Sequence, residues 1–295
     1  MQIMKRRIFK YLLPGALSLV FSCDKAGQPV VPVSDGKDGA AWQKEQWDAC
    51  SRELQKHLDT EGREVQLSTL DAAFVAIMKA DIGTGDSRTI PFQSGGASCE
   101  AVIERNAQDA ALKVFREGEL VGSFSGNTES FTGEAAGISL VAKTEGETVL
   151  RSRDVVLASL NTAAVDPGKT SLQLDLITGI SIRGTVDGTR LWNAIRSLQD
   201  ASSEEQARGF VQEAASAMDL PVYYEGDYST ARAKLTLEPE HILSRYDNYW
   251  TWRVVILTVS GETLLLKESS PLKLVFDGTL PFYQAWHSLM PHIVK

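Results

Sequence analysis

The chain has 295 residues, 43% of them hydrophobic, with 30 Lys and Arg against 38 Asp and Glu and a net charge of −8. An acid excess of that size makes a poor nucleic-acid binder, because phosphate contacts need clustered Lys and Arg, and it argues against electrostatic attachment to anionic lipid. The apolar content is enough for one large core or two small ones.

Residues 1–7, MQIMKRR, are basic with no acid, and Ile8 to Phe21 is a mostly apolar run broken by Lys10 and Pro14. That run is too short and too interrupted to span a bilayer. With its charged start and the small Ser22 it has the form of a secretory signal peptide. The segment Val20-Phe21-Ser22-Cys23 resembles the lipobox of bacterial lipoprotein precursors. The resemblance covers the leader alone. It implies cleavage before Cys23, acyl chains on the Cys23 sulfur and new amino group, and a membrane partner reached through that anchor. The implied location is the bacterial cell envelope, with the outer membrane or surface ahead of the inner membrane. Several acyl chains hold a protein on a bilayer where one does not. The alternative is a plain signal peptide in which Cys23 has no special role. The leader holds Lys5, Arg6, Arg7 and Lys10, so the remainder carries 26 basic and 38 acidic residues, a net −12.

Residues 23–41 are rich in Gly, Pro and Asp and show no apolar period, which reads as a tether between lipid and fold. Ala41–Leu58 follows as a helix with Trp47, Cys50, Leu54 and Leu58 on one face. Ser68–Ala80 is a second helix, capped by Ser68 or Thr69, with Leu70, Phe74, Ile77 and Met78 on its apolar side. If Cys23 is acylated, Cys50 and Cys99 remain. An export context allows them to bridge, and a helical Cys50 in the core is the other reading.

From about Cys99 the pattern turns to strands. Gly118, Gly146 and Gly261 each separate two β-rich runs and mark antiparallel hairpins. Val165–Thr170, VDPGKT, is a turn near the middle, and the next strand material leads into a helix with Leu191, Ile195 and Leu198 on one face. A further helix opens with a capping box, Ser202 and Glu205, aligns Phe210, Ala214 and Met218, and stops at Pro221. Strands return after Tyr228, and Leu280–Met290 is a closing helix.

Two segments echo each other: VDGTRLWNAIRSL from Val186 and FDGTLPFYQAWHSLM from Phe276. Both read as strand, Asp-Gly-Thr turn, then amphipathic helix. They indicate either a duplication or convergent strand-to-helix turns. The expected architecture is α+β, with antiparallel β meanders and helix pairs in an N-terminal lobe at 42–165 and a C-terminal lobe at 170–295, two lobes that a duplication would make similar. Segregated runs of helix and strand favour that class.

Candidate chemistry is sparse. Asp187 and Asp277 occupy equivalent places in the echo. They form either a glycosidase-like carboxylate pair or, the favoured reading, turns in which Thr189 and Thr279 cap the helices. Tyr246, Tyr249, Trp250 and Trp252 are the densest aromatic cluster, suited to a stacking platform for sugar rings or to a strand with one face in the core. Tyr223, Tyr224 and Tyr228 add to it if they fold nearby. His57, His241, His287 and His292 lack metal spacing, and no phosphate-loop motif occurs, so neither a metal nor a cofactor is expected. The expectation is a tethered, non-catalytic protein that binds a ligand or partner outside the cytoplasm, with a glycan or an envelope protein as candidates. A glycan-acting hydrolase and an assembly subunit of an envelope complex are the alternatives.

Overall fold

The computed structural model describes residues 39–293 except 84, 107, 225–229 and 246. Cys23, Tyr228 and Tyr246 therefore lie outside the described residues.

The fold is α+β, with fourteen strands that follow one another in chain order in an antiparallel meander. Helix α1 is Ala40–Leu58 and α2 is Arg63–Lys79. The strands are β1 (Ser87–Ser94), β2 (Ala97–Arg105), β3 (Ala110–Arg116), β4 (Glu119–Gly126), β5 (Ser130–Ala135), β6 (Ile138–Lys143), β7 (Gly146–Ser152), β8 (Val155–Asp166), β9 (Lys169–Leu176) and β10 (Ser181–Asp187). After helices α3 (Gly188–Leu198) and α4 (Glu204–Ser216) come β11 (Met218–Tyr223), β12 (Ala233–Leu243), β13 (Asn248–Thr258) and β14 (Thr263–Leu265), and then α5 (Pro271–Ile293).

The chain divides into two compact units. One joins Leu54–Ser159 to the segment from Val275 onward; the other joins the residues up to Glu53 to Leu160–Leu274. The division places most of the closing helix with the earlier strands.

In the unit built on Leu54–Ser159, the core face of the meander carries Ile103, Leu112, Val114, Phe124, Leu140 and Leu150, all buried. Helix α2 adds Leu70, Phe74 and Ile77. It starts five residues before Ser68, directly after Gly62 at φ 71°. Ser68 and Thr69 are therefore not caps. Each hydroxyl donates back to the Val65 carbonyl, at 2.9 and 2.8 Å. Met78 is 64% exposed rather than part of the core stripe.

Helix α5 begins well before Leu280 and continues through Pro281. Its Phe282 ring takes the space a side chain at Gly133 would need, lying 2.4 Å from where a Cβ would stand. Phe282 meets Phe124 edge-on at 5.8 Å, and Trp286 stacks on Phe131 at 4.8 Å. Apolar burial on both sides of the proline holds the helix together although Pro281 lacks a backbone donor.

The expected hairpins at Gly118, Gly146 and Gly261 are present, with all three glycines at positive φ. The turn Glu117–Gly118 has φ 52° and 84°, and Ala136–Gly137 has φ 52° and 73°. Two successive residues at positive φ match the twist of a tight antiparallel hairpin.

In the second unit, the inner face of β9–β12 buries Leu174, Ile182, Leu220, Val222, Ala233 and Leu235. Helix α1 supplies Trp47 and Cys50, α3 supplies Leu191, Ile195 and Leu198, and α4 supplies Ala207, Val211 and Ala214. The N-cap of α4 is Ser203, whose hydroxyl accepts from the Gln206 N–H at 3.3 Å; Ser202 instead donates to the Gln206 side chain. The helix ends at Ser216, so Met218 opens a strand and Pro221 sits inside β11 rather than stopping α4.

The echo does not extend to local structure. Asp187 ends β10 and caps α3, whereas Phe276–Thr279 lies inside α5.

Candidate functional site

An antiparallel sheet with one face on a core leaves its other face to water. In β9–β11 that outer face is written in the alternation Ser171, Gln173, Asp175 against Leu172, Leu174, Leu176. Register aligns the outer residues into cross-strand rows. Gln173 stands opposite Arg183, Ser171 opposite Thr185, and Asp175 opposite Ser181. On the other side of β10, Asp219 pairs with Thr185 and Tyr223 with Ser181.

This face forms the floor of an open groove of about 640 Å³, with Asn161 and Ala163 of β8 along one side and Pro221 and Tyr223 of β11 along the other. The Arg183 guanidinium lies over the Tyr223 ring, 4.9 Å from its centre. Such stacking holds a long cationic side chain in one place. The Gln173 amide donates to Asp175 at 2.8 Å, and Ser171 donates to the Ala163 carbonyl at 3.2 Å. Asp219 lies 3.7 Å from the Lys234 ammonium. Ser181 is 1% exposed, and its hydroxyl has no hydrogen-bond partner among the described residues.

Gly184 shapes the floor. A Cβ there would stand 1.7 Å from the Asp219 carbonyl oxygen, so β10 and β11 approach closely enough to admit only glycine. Pro221, one strand over, has no N–H to offer the ladder.

The aromatic cluster lies on the β12–β13 hairpin. Ladder pairs with β11 end at Leu235 and those with β14 at Val255, and the two strands pair onward to Leu243 and Asn248. Trp252 is buried, 7% exposed, so its ring belongs to the core face. Trp250 is half-buried and stacks on the exposed His241 ring at 4.3 Å and 11°. Tyr249 is 50% exposed on the opposite face, where it pairs with Ile242. The cluster is thus split between core, stack and solvent. Of the tyrosines before it, Tyr223 lines the groove, while Tyr224 is buried edge-on to Trp42 at 5.5 Å with its phenol pushed well above the usual range by desolvation.

Cys50 and Cys99 are free, buried thiols. Burial raises the Cys50 thiol above its usual range, against the lowering effect of hydrogen bonding with Thr178. Asp187 accepts from the Arg190 N–H at 3.0 Å and is itself the cap of α3, a role expected of Thr189. Asp277 lies within α5, where with Asp59 it favours the charged form of the Arg63 guanidinium against burial. Asp187 and Asp277 belong to different compact units. Among the described residues, no helix is long and apolar enough to cross a membrane, and no group of three or more His, Cys, Asp or Glu is placed to hold a metal ion.

The groove residues Asn161, Gln173, Arg183 and Asp219 were not singled out by sequence reasoning. Their signal is ordinary strand alternation, which marks a solvated face without marking a concave one. No known protein-family model matches the chain, and no curated protein matches it.

Proposed function

We propose that the mature chain is a lipid-tethered protein of the bacterial cell envelope that binds a glycan without altering it, on the outer face of β8–β11. The observation that carries this reading is the groove itself: a solvated sheet face, concave and open, with Arg183 fixed over Tyr223. Amides, hydroxyls and a guanidinium match the donor and acceptor pattern of sugar hydroxyls. Tyr223 and Pro221 add flat apolar surface of the kind a sugar ring packs on. A hydrolase of the two-carboxylate type needs a pair of acids across the scissile bond. Of the two acids on this face, Asp219 lies beside Lys234 and Asp175 accepts from the Gln173 amide. The anchor rests on the leader, whose Cys23 follows a signal-type apolar run.

The test is a glycan array probed with the mature protein, followed by calorimetric titration of the glycans retained. Arg183→Ala should weaken binding by about tenfold or more, the scale of one charge-assisted hydrogen bond. Its thermal midpoint should stay near that of the wild type. Retention of no glycan, or wild-type affinity in both Arg183→Ala and Tyr223→Ala, would overturn the proposal.

A further inference from the structure

Among the described residues, β12 and β13 pair on past their last ladder pairs with β11 and β14 as a two-stranded arm. Its root is polar: Arg253 donates to Glu238 at 3.2 Å, and Thr263 donates to the same carboxylate at 3.1 Å. Toward the end Leu243 is 72% exposed, and by register it shares a face with Trp250, His241 and Asn248, the last two joined side chain to side chain at 2.8 Å. The exposed loop residues Arg245 and Asp247 carry opposite charges.

The arm is tied to the place where the chain leaves the fold. The Gln43 side chain, near the start of α1, donates to the carbonyl of Arg232, the residue just before β12. Trp42 packs on Tyr224 of the same unit. Fifteen residues, 24–38, separate Cys23 from Gly39. Their greatest span is about 50 Å. From Leu235, where pairing with β11 ends, to Leu243 is eight residues, or about 27 Å of extended chain. A fold anchored through Cys23 can therefore bring the arm to the bilayer surface.

We infer that the face of the arm carrying Leu243 and Trp250 rests in the interfacial layer of the bilayer to which the chain is tethered. This rests on the lipid-anchor reading above. The occupant is a lipid surface because an exposed leucine beside a half-buried indole has the amphipathic character of membrane-interface residues. The charges of Arg245 and Asp247 stay at headgroup level. The lipid is zwitterionic, since a mature chain at net −12 is repelled by an anionic surface. Anchor and arm together supply the two signals that stable peripheral attachment needs.

The experiment places a nitroxide at Leu243→Cys in the full-length protein, extracted from membranes and reconstituted in phosphatidylcholine vesicles. Cys50 and Cys99 are buried and do not compete for the label. Collisional access of a water-soluble nickel complex should fall several-fold on moving from detergent to vesicles. At Tyr249→Cys, on the opposite face, it should change little. Intact mass of the same sample reports the anchor independently. An acylated sample with nickel access at 243 unchanged in vesicles overturns the arm and leaves the tether standing. A sample without acyl chains overturns both. Low nickel access at 243 already in detergent, deepening with protein concentration, would show a second copy on that face and overturn the lipid contact.

Discussion

Asp187 shows at single-residue scale how a carboxylate that invites a catalytic reading is accounted for by local geometry. It stands one position before α3, and its side chain accepts from the Arg190 N–H. Asp187→Ala should lower stability by about 1 kcal/mol, while Asp187→Asn should be nearly neutral, because Asn caps as well as Asp. Urea denaturation of the two variants checks this, and equal losses would contradict the capping role. The sequence VDGT did not distinguish Asp187 from Thr189, since either can satisfy a donor three residues ahead. His292 offers a second test. Burial, together with the Arg105 guanidinium, holds its imidazole below the ordinary value of 6.5. The unfolded chain then takes up a proton before the folded one, so stability drops as pH falls below about 6.5 and levels off beneath the folded value. His292→Gln should show a smaller loss of urea midpoint between about pH 7.5 and pH 5 than the wild type. An identical loss would remove His292 from the pH response.

At the scale of elements, what was legible depended on whether a local signal decided the outcome. The face of α1 bearing Trp47, Cys50, Leu54 and Leu58 is buried as its period requires, and the hairpins at Gly118, Gly146 and Gly261 stand where glycine was needed. The boundaries of α2, α4 and α5 were not legible. Pro221 was read as the stop of α4, yet it lies within β11, and the closing helix was read from Leu280, yet α5 starts at Pro271 and carries Pro281 in its interior. In α5 the deciding term is long-range: Phe282 fills the space over Gly133, 149 residues earlier in the chain, and no window around Pro281 contains that contact. Phe282→Ala should cost about 3–5 kcal/mol, the usual loss for a fully buried aromatic ring. A drop in urea midpoint without a change in slope would report it cleanly. A loss under about 1 kcal/mol would mean that α5 is held by other contacts. The groove was half legible. Alternation in β9 exposed its polar face, but the close approach of β10 to β11 at Gly184 is visible only in the paired strands.

At the scale of the whole molecule, the proposed lipoprotein is a chain processed before Cys23, with a net charge of −12 and an open groove on β8–β11. A net charge of −12 disfavours nucleic acid and anionic lipid, so under the proposed tether attachment would fall to acyl chains and to neutral contacts such as Leu243. The proposed anchor would set where the groove meets its ligand. It is tested most directly by intact-mass spectrometry of the protein extracted from bacterial membranes. The account predicts a chain beginning at Cys23 with acyl groups on its first residue. A chain that retains residues 1–22, or begins elsewhere with the Cys23 thiol free, would contradict it.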